Sequence, residues 1–144
     1  MANEINPLSY EDLSLGMTRE RDYTVTPAIY EDFLRLFGDR SPLHVDADYA
    51  RACGFSGPLM HGAVLNGFVS NFVGMVLPGG RSLELSVDIH FSQPFYLGDT
   101  IRVQGKIAQK LDVQQVVVLH LIFLNQTHPG TTATAKVQVK MMSA

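Results

Sequence analysis

The sequence predicts an α+β domain in which a curved antiparallel β-sheet wraps around one long central α-helix. The segment Pro58–Leu77 has 20 residues and no Lys, Arg, Asp or Glu, which is typical of a helix buried on nearly all sides. After Gly80 the hydrophobic period changes to two, which indicates strands with one buried and one wet face. A buried helix followed by several such strands is covered most economically by a sheet that curves around it.

The elements before this helix are marked by their end signals. Residues 1–16 read as an irregular lead-in, and Met17–Thr26 as a strand. A Thr26-Pro27 pair is typical of a helix start, and Gly38 of a helix end. Apolar residues at helical spacing lie between them: Ile29, Phe33, Leu34, Leu36 and Phe37. A short helix is predicted over Asp46–Cys53 with Asp46 as its cap, then a loop over Gly54–Pro58 and the long helix over 59–76.

At least four antiparallel strands are predicted after the helix. In three of them non-polar residues alternate with polar ones. The non-polar positions are Leu85, Val87, Ile89 and Phe91 in the first strand, Ile101, Val103, Gly105 and Ile107 in the second, and Ala133, Ala135, Val137, Val139 and Met141 in the third. Val116–Leu124 is apolar on both faces, so we expect it to be central or to lie in an interface. We expect a homodimer, because a single sheet around one helix leaves this strand in need of cover. Gly98-Asp99 and His128-Pro129-Gly130 supply turns.

Composition limits the classes of function. The chain has 144 residues, 46% apolar and 17% charged, which predicts one folded domain over residues 1–144. The net charge is −3 and no Lys/Arg-rich run occurs, so we expect no nucleic-acid partner. The single cysteine, Cys53, excludes an internal disulfide framework and fits a reducing compartment; we interpret it as structural.

The expected location is the cytoplasm, without a membrane segment. Met1–Ser14 lacks a basic region followed by an apolar core, so it does not resemble a secretory signal. Pro58–Leu77 is long enough to span a bilayer, but it contains several polar residues and no flanking Lys/Arg cluster. These polar residues are His61, Asn66, Ser70 and Asn71. A buried helix is therefore the favoured interpretation.

Most of the polar chemistry is concentrated in Gly38–Gly62. Asp39 and His44 are five residues apart on a loop that follows a helix end, and Pro42 stiffens the loop by restricting Ser41 to an extended conformation. A carboxylate and an imidazole held together can manage a water and its protons. His61-Gly62 opens the long helix, where backbone N–H groups lack intrahelical partners and favour negative charge. The stretch predicts an acid/base site acting on a carbonyl substrate such as an acyl thioester.

These residues resemble a known family. Asp39-Arg-Ser-Pro42-Leu-His44-Val-Asp46, followed by His61-Gly62, is similar to the hydratase motif of the MaoC-like, hot-dog-fold dehydratases, in particular the (R)-specific enoyl-CoA hydratases. Leu77-Pro78-Gly79 and the segment Pro94–Asp99 are similar to later parts of the family pattern, and the resemblance covers residues 18 to 141.

The resemblance implies a hot-dog fold, a homodimer and reversible syn hydration of trans-2-enoyl-CoA to (R)-3-hydroxyacyl-CoA. By position, Asp39 and His44 would be the catalytic pair, the N–H of Gly62 the oxyanion hole, and Ser70 a supporting residue. The family usually has Asn where this chain has Ser41. The substrate would be a CoA or acyl-carrier-protein thioester, with no cofactor.

Other interpretations remain open from the sequence. His61 either supports the site or packs the helix start, and His120 is a core or interface histidine; His90 is expected to be solvated. No spacing suggests a metal site. A hot-dog thioesterase is a weaker alternative, because Leu59–Leu77 has no carboxylate. A non-catalytic acyl-thioester-binding module is another. The acyl-chain length, the choice between CoA and carrier protein, and the group that protonates C2 are left undecided.

Overall fold

The architecture is a five-stranded antiparallel sheet with its helices preceding strands two to five in the chain. The computed structural model describes residues 8–143. The elements are β1 (Thr18–Thr24), α1 (Pro27–Phe37), α2 (Pro42–Val45), α3 (Ala47–Ala52), α4 (Val64–Met75), β2 (Ser82–Phe91), β3 (Thr100–Leu111), β4 (Val116–Asn125) and β5 (Gly130–Met141). The strand order is β1-β3-β4-β5-β2, and every neighbouring pair is antiparallel. Residues 8–16 are irregular as predicted; the first seven residues of the predicted lead-in lie outside the described residues.

The central helix α4 packs on one face of the sheet. Its buried side chains are Val64, Leu65, Phe68, Val69, Phe72 and Val73, and they share one core with alternating residues of β3, β4 and β5. At Gly105 the helix comes so close that an added Cβ would lie 2.5 Å from Cε1 of Phe72. The predicted sheet around a central helix is confirmed. Among the described residues no helix is long and apolar enough to cross a membrane.

The predicted cap residues act as expected. The side chain of Thr26 accepts a hydrogen bond from the backbone N–H of Ile29, and Gly38 ends α1 with φ of 68° while its N–H donates to Leu34. The carboxylate of Asp46 accepts from the N–H groups of Asp48 and Tyr49 at the start of α3. The loop that begins at Asp39 is therefore held between two capped helices.

The prediction that the long helix begins at residue 59 is wrong, because α4 begins at Val64. The backbone of the preceding segment is tied to other parts of the chain. Leu59 donates its N–H to the carbonyl of Leu43, and Met60 donates to the carbonyl of Phe95, both at 2.8 Å. His61 and Gly62 consequently lie in a connection before the helix.

The edge strand β2 departs from the predicted alternation of buried and wet residues. Its apolar residues Leu83, Leu85, Val87 and Phe91 are all exposed in the chain by itself, and β2 is an edge strand that pairs with β5 alone. Leu36 and Phe37 of α1 are exposed as well. The strand β4, in contrast, is the central strand, so the need to cover it was the wrong reason to expect a dimer.

Candidate active site

The carboxylate of Asp39 and the imidazole of His44 face each other across a short gap. His44 Nε2 lies 3.7 Å from Asp39 Oδ2, with the side chains 18% and 50% exposed, respectively. This separation is longer than a hydrogen bond, and catalytic contacts are often loose before substrate binds. The structure thus brings together the two residues that the sequence pairs.

His44 lies in the short helix α2 and not on a loop as predicted, and its orientation is set by groups outside that helix. Its Nδ1–H donates to the carbonyl of Leu59 at 2.8 Å, so Nε2 is the ring nitrogen left to face Asp39. The backbone carbonyl of His44 accepts from the hydroxyl of Tyr30 at 2.7 Å. One hydrogen bond fixes the ring and the other ties its backbone to α1.

Asp39 is held in its ionised form. The backbone N–H of Ser41 donates to Asp39 Oδ1 at 3.2 Å and is the largest cause that lowers the pKa of this carboxyl; the Ser41 hydroxyl, His44 and His61 lower it further. Ser41 has an extended backbone immediately before α2, which Pro42 opens, as expected for a residue before proline. The N–H of Ser41 is thereby directed at the carboxylate.

His61 is buried and connects the two parts of the site. Its ring lies between those of His44 and Phe33, with centroid distances of 4.0 and 4.4 Å. Its Nε2–H donates to the backbone carbonyl of Asp39 at 2.8 Å, and its Nδ1 has no hydrogen-bond partner among the described residues. The ring therefore packs the site and ties it to the backbone of Asp39.

Gly62 presents a backbone N–H that hydrogen-bonds to no other described residue. It lies two residues before α4, in a cavity of about 300 Å³ that also contains His44. The ring of Phe91 lies against it, since a Cβ at this position would be 3.1 Å from Cε1 of Phe91. A side chain here would therefore crowd the cavity next to the free N–H.

The other walls of this cavity are mostly apolar and were not identified from the sequence. They are Phe55, Leu59, Met60, Phe91, Ser92, Gln93, Pro94 and Phe95. Phe91 carried a strand signal but no sign of its place beside Gly62, because that contact joins residues far apart in the chain. The cavity can hold an acyl thioester with its carbonyl near Gly62 and its carbon chain among apolar groups.

Ser70 is placed differently from the other predicted site residues. It lies on the exposed side of α4, and its side chain makes no hydrogen bond to any described residue, Asp39 and His44 included. Its predicted supporting role has no contact in the single chain. The remaining residues predicted for the site, Ser41, Pro42 and His61, lie within it.

Asp39, His44 and His61 form the one cluster among the described residues whose spacing suits a metal, with candidate ligand atoms within 4.8 Å of one another. Their types suit zinc. However, His61 Nε2 is engaged with the carbonyl of Asp39, and its Nδ1 is enclosed. Two accessible donors remain, fewer than a protein zinc site normally uses, so the expectation of a metal-free site stays a prediction.

Similar proteins place the chain among hydratases and dehydratases. It is 28% identical to 3-hydroxybutyryl-CoA dehydratase of Methylorubrum extorquens over 76% of this chain and 69% of that protein. It is 30% identical to the (R)-specific enoyl-CoA hydratase of Rhodospirillum rubrum over 70% of this chain and 73% of that one. The unliganded structure of R-hydratase PhaJ1 from Pseudomonas aeruginosa superposes with a TM-score of 0.87 at 25% identity, covering 98% of this chain and 89% of that one.

The agreement extends from overall fold to sequence family. The superposition with the R-hydratase confirms the predicted hot-dog fold. The family model described as MaoC like domain matches residues 14–121, a range that includes Asp39, His44 and Gly62. Because this match covers well over half of the sequence, the chain belongs to the MaoC-like dehydratase family.

Proposed function

We propose that the protein is an (R)-specific enoyl-CoA hydratase or 3-hydroxyacyl-thioester dehydratase, which adds water reversibly and syn to trans-2-enoyl thioesters. The observation that carries the proposal is the Asp39–His44 pair, 3.7 Å apart, whose imidazole lines the same largely apolar cavity as Gly62 with its free N–H. The hydratase and dehydratase relatives support the same reaction class.

Asp39 and His44 handle the water in this mechanism. A water held between Asp39 Oδ2 and His44 Nε2 loses a proton to Asp39 as its oxygen attacks C3 of the enoyl group. The lowered pKa of Asp39 keeps the carboxylate ionised and able to accept the proton. C2 then receives a proton from the same pair, and because both groups lie on one side of the substrate, the addition is syn.

Gly62 stabilises the negative charge that develops on the thioester oxygen. Its N–H is free and lies at the approach to the N-terminus of α4, where the helix dipole favours an anion. Loss of one oxyanion donor typically raises the barrier by about 3–4 kcal/mol. The absence of a side chain allows the thioester to approach the backbone closely.

The assembly that we propose is a homodimer formed through β2. This strand is an edge of the sheet and exposes four apolar side chains. An exposed apolar edge strand is a template for pairing with another chain. Pairing two copies by this edge would cover those side chains. The cytoplasmic location, the substrate as a CoA or carrier-protein thioester and the lack of a cofactor complete the proposal.

A turnover panel tests the reaction. Purified protein should consume crotonyl-CoA and longer trans-2-enoyl-CoA substrates, seen as loss of enoyl absorbance, with a 3-hydroxyacyl-CoA of R configuration as product. Asp39→Asn and His44→Ala should each lower kcat/KM by about 10²–10⁴. Asp48→Asn and His90→Ala alter exposed residues outside the cavity and serve as controls.

The panel also separates the competing functions. Thermal stabilisation by an acyl-CoA without turnover of any chain length would indicate a binding module. Release of free CoA thiol would indicate a thioesterase. The structure disfavours the latter, because α4, residues Val64–Met75, carries no Asp or Glu. Full activity in both the Asp39 and His44 variants would refute the assigned pair.

A further inference from the structure

A buried carboxylate, Asp99, lies outside the active-site cavity and accepts three hydrogen bonds. Its side chain is only 2% exposed. Oδ2 accepts from the backbone N–H of Tyr96 at 3.0 Å and from Asn125 Nδ2 at 2.8 Å, and Oδ1 accepts from His128 Nδ1–H at 2.9 Å. Burial of a carboxylate is costly unless such donors satisfy it. The three contacts join the turn before β3 to the turn between β4 and β5.

The histidines outside the active site differ in what they contact. His90, His120 and His128 are all exposed, so His90 is solvated as predicted and the interpretation of His120 as a core histidine is wrong. His128 alone of the three contacts a buried carboxylate, and its ring lies edge-on to that of Tyr96, with a centroid distance of 6.2 Å. His128 therefore closes the group of side chains around Asp99.

The segment that Asp99 holds forms one wall of the active-site cavity. Residues 92–95 line this cavity together with His44 and Gly62. One residue after the wall, the N–H of Tyr96 donates to the Asp99 carboxylate. The chain turns back at Gly98, whose φ of 94° suits a residue without a side chain. Asp99 thus fixes the carboxyl-terminal end of the wall.

The same segment also holds the connection that carries the proposed oxyanion donor. The carbonyl of Phe95 accepts from the N–H of Met60 at 2.8 Å, and Gly62 follows Met60 by two residues. Phe95 and Met60 are 2% and 4% exposed, so solvent has little access to this bond. Asp99 and Gly62 are therefore joined by two hydrogen bonds and short stretches of backbone, through Tyr96, Phe95 and Met60.

A second pair of hydrogen bonds ties the segment to the start of α1. The carbonyl of Val25 accepts from the N–H of Gly98 at 2.7 Å, and the N–H of Val25 donates to the carbonyl of Asp99 at 2.8 Å. Val25 lies two residues before α1, the helix whose Tyr30 hydroxyl donates to the carbonyl of His44. The segment is thus connected to both halves of the proposed site, through α1 on one side and through the connection before α4 on the other.

We propose that Asp99 is a positioning residue for the hydration reaction, which holds segment 94–99 so that the N–H of Gly62 stays directed into the cavity. Asp99 is not one of the residues that line the cavity, so it acts on the reaction through Tyr96, Phe95 and Met60. The kinetic consequence rests on the proposed hydratase activity. The structural consequence does not, because it is measured without substrate.

Amide hydrogen exchange of the full chain, followed by NMR, tests the structural step. Asp99→Asn keeps one acceptor oxygen but loses the charge that strengthens its hydrogen bonds, so the N–H of Met60 should exchange about 10-fold faster than in the parent protein. The amides of the central strand β4, which report global stability, should accelerate less. Asp99→Ala should have a larger effect at Met60 than Asp99→Asn. Asp112→Ala removes a carboxylate that accepts from Tyr10 at the opposite end of β3, and should leave exchange at Met60 unchanged relative to β4.

Steady-state kinetics on crotonyl-CoA test the consequence for the reaction. The kcat of Asp99→Ala should fall by about 10–100-fold, and Asp99→Asn should recover part of it. KM should change less than kcat, because the Gly62 donor acts mainly on the charge that develops in the transition state. Asp112→Ala should keep the kcat of the parent protein.

Two results would overturn the inference. One is exchange at Met60 that rises by no more than that of the β4 amides in Asp99→Asn, which means that Asp99 serves global stability alone. The other is faster exchange at Met60 with unchanged kcat. If Asp99→Ala does not fold, Asp99→Asn alone decides both points. A parent protein that hydrates no enoyl-CoA refutes the proposed function, while exchange at Met60 still decides whether Asp99 holds the connection that carries Gly62.

Discussion

The Nε2–H of His61 donates to the backbone carbonyl of Asp39 at 2.8 Å, and the residue after His61 is the proposed oxyanion donor Gly62. One buried imidazole therefore joins the loop that carries the carboxylate to the start of the helix connection. The ring also packs against that of His44, with the two planes tilted by 32°. The relative positions of the water-handling pair and the oxyanion donor depend on this side chain.

Replacing His61 with Phe should lower kcat more than it changes KM. Phe keeps an aromatic ring between Phe33 and His44 but has no donor for the Asp39 carbonyl, so the Asp39 loop is no longer held. Small displacements of catalytic groups can cost about 10²-fold in rate. His61→Gln, whose amide can donate to the same carbonyl, should recover part of kcat. Steady-state kinetics on an enoyl-CoA measure both variants.

Circular dichroism and Tm must accompany these measurements, because His61 is buried. A positioning role requires that His61→Phe stays folded and that His61→Gln is the more active variant. Equal kcat in the two variants at equal Tm would mean that packing alone explains the position.

The hydroxyl of Ser41 should influence the acid limb of the pH profile. The pKa of Asp39 is lowered first by the backbone N–H of Ser41 and to a lesser extent by the Ser41 hydroxyl. Ser41→Ala keeps the backbone N–H and removes the hydroxyl, so the pKa of Asp39 should rise toward its ordinary value. Because the ionised carboxylate is the base, the acid limb of kcat/KM should move to higher pH.

The lowered pKa of Asp39 also makes the stability of the fold depend on pH. A depressed carboxyl pKa stabilises the fold above the unfolded pKa, and that contribution is lost as pH falls through the folded pKa. Ser41→Ala should therefore reduce a small contribution that is present at neutral pH. Ser56→Ala, at an exposed serine of the 54–58 loop, is the control. A limb that moves to lower pH in Ser41→Ala would contradict the assigned role of Asp39 as base.

The contact between Gly62 and Phe91 predicts a compensating pair of substitutions. In Gly62→Ala the new methyl group would lie 3.1 Å from Cε1 of Phe91. The Phe91 ring is 55% exposed and can move, so the protein should fold, but the ring or the thioester is displaced. We expect kcat/KM to fall by about 10–100-fold, less than the 10²–10³ of a lost oxyanion donor.

A smaller side chain at position 91 should relieve this crowding. Gly62→Ala combined with Phe91→Leu should be more active than Gly62→Ala alone, measured against Phe91→Leu in a double-mutant cycle. Gly57→Ala, with open space around the added Cβ, should retain activity. A double variant no better than Gly62→Ala would mean that the methyl group blocks the thioester directly.

Local signals in the sequence were sufficient to predict the helix caps and the strands that pair in the sheet. Thr26, Gly38 and Asp46 cap their helices through neighbours within four residues, which a local pattern can indicate. Asp39 and His44 are close in the chain, and the short helix α2, which Pro42 opens, brings them together. These features depend little on distant parts of the molecule.

Features set by distant contacts were not predictable in this way. The start of α4 was misplaced because the backbone of Leu59 and Met60 pairs with Leu43 and Phe95, which hydrophobic periodicity does not register. The place of β2 at the edge depends on the pairing order of the whole sheet. An alternating strand looks the same in sequence whether a helix covers it or not.

The exposed edge strand β2 predicts how a single substitution should change the oligomeric state of the protein. Leu85 is 50% exposed on this strand, at an irregularity in its pairing with β5. In a symmetric dimer the same patch meets itself, so Leu85→Lys introduces a charge on both copies into the contact. Light scattering should give a dimer for the parent protein and a monomer for Leu85→Lys. Val113→Lys, at a 93% exposed residue between β3 and β4, should remain a dimer. A parent protein that is monomeric at every concentration, or a Leu85→Lys variant as dimeric as the Val113→Lys control, would show that β2 is not the interface.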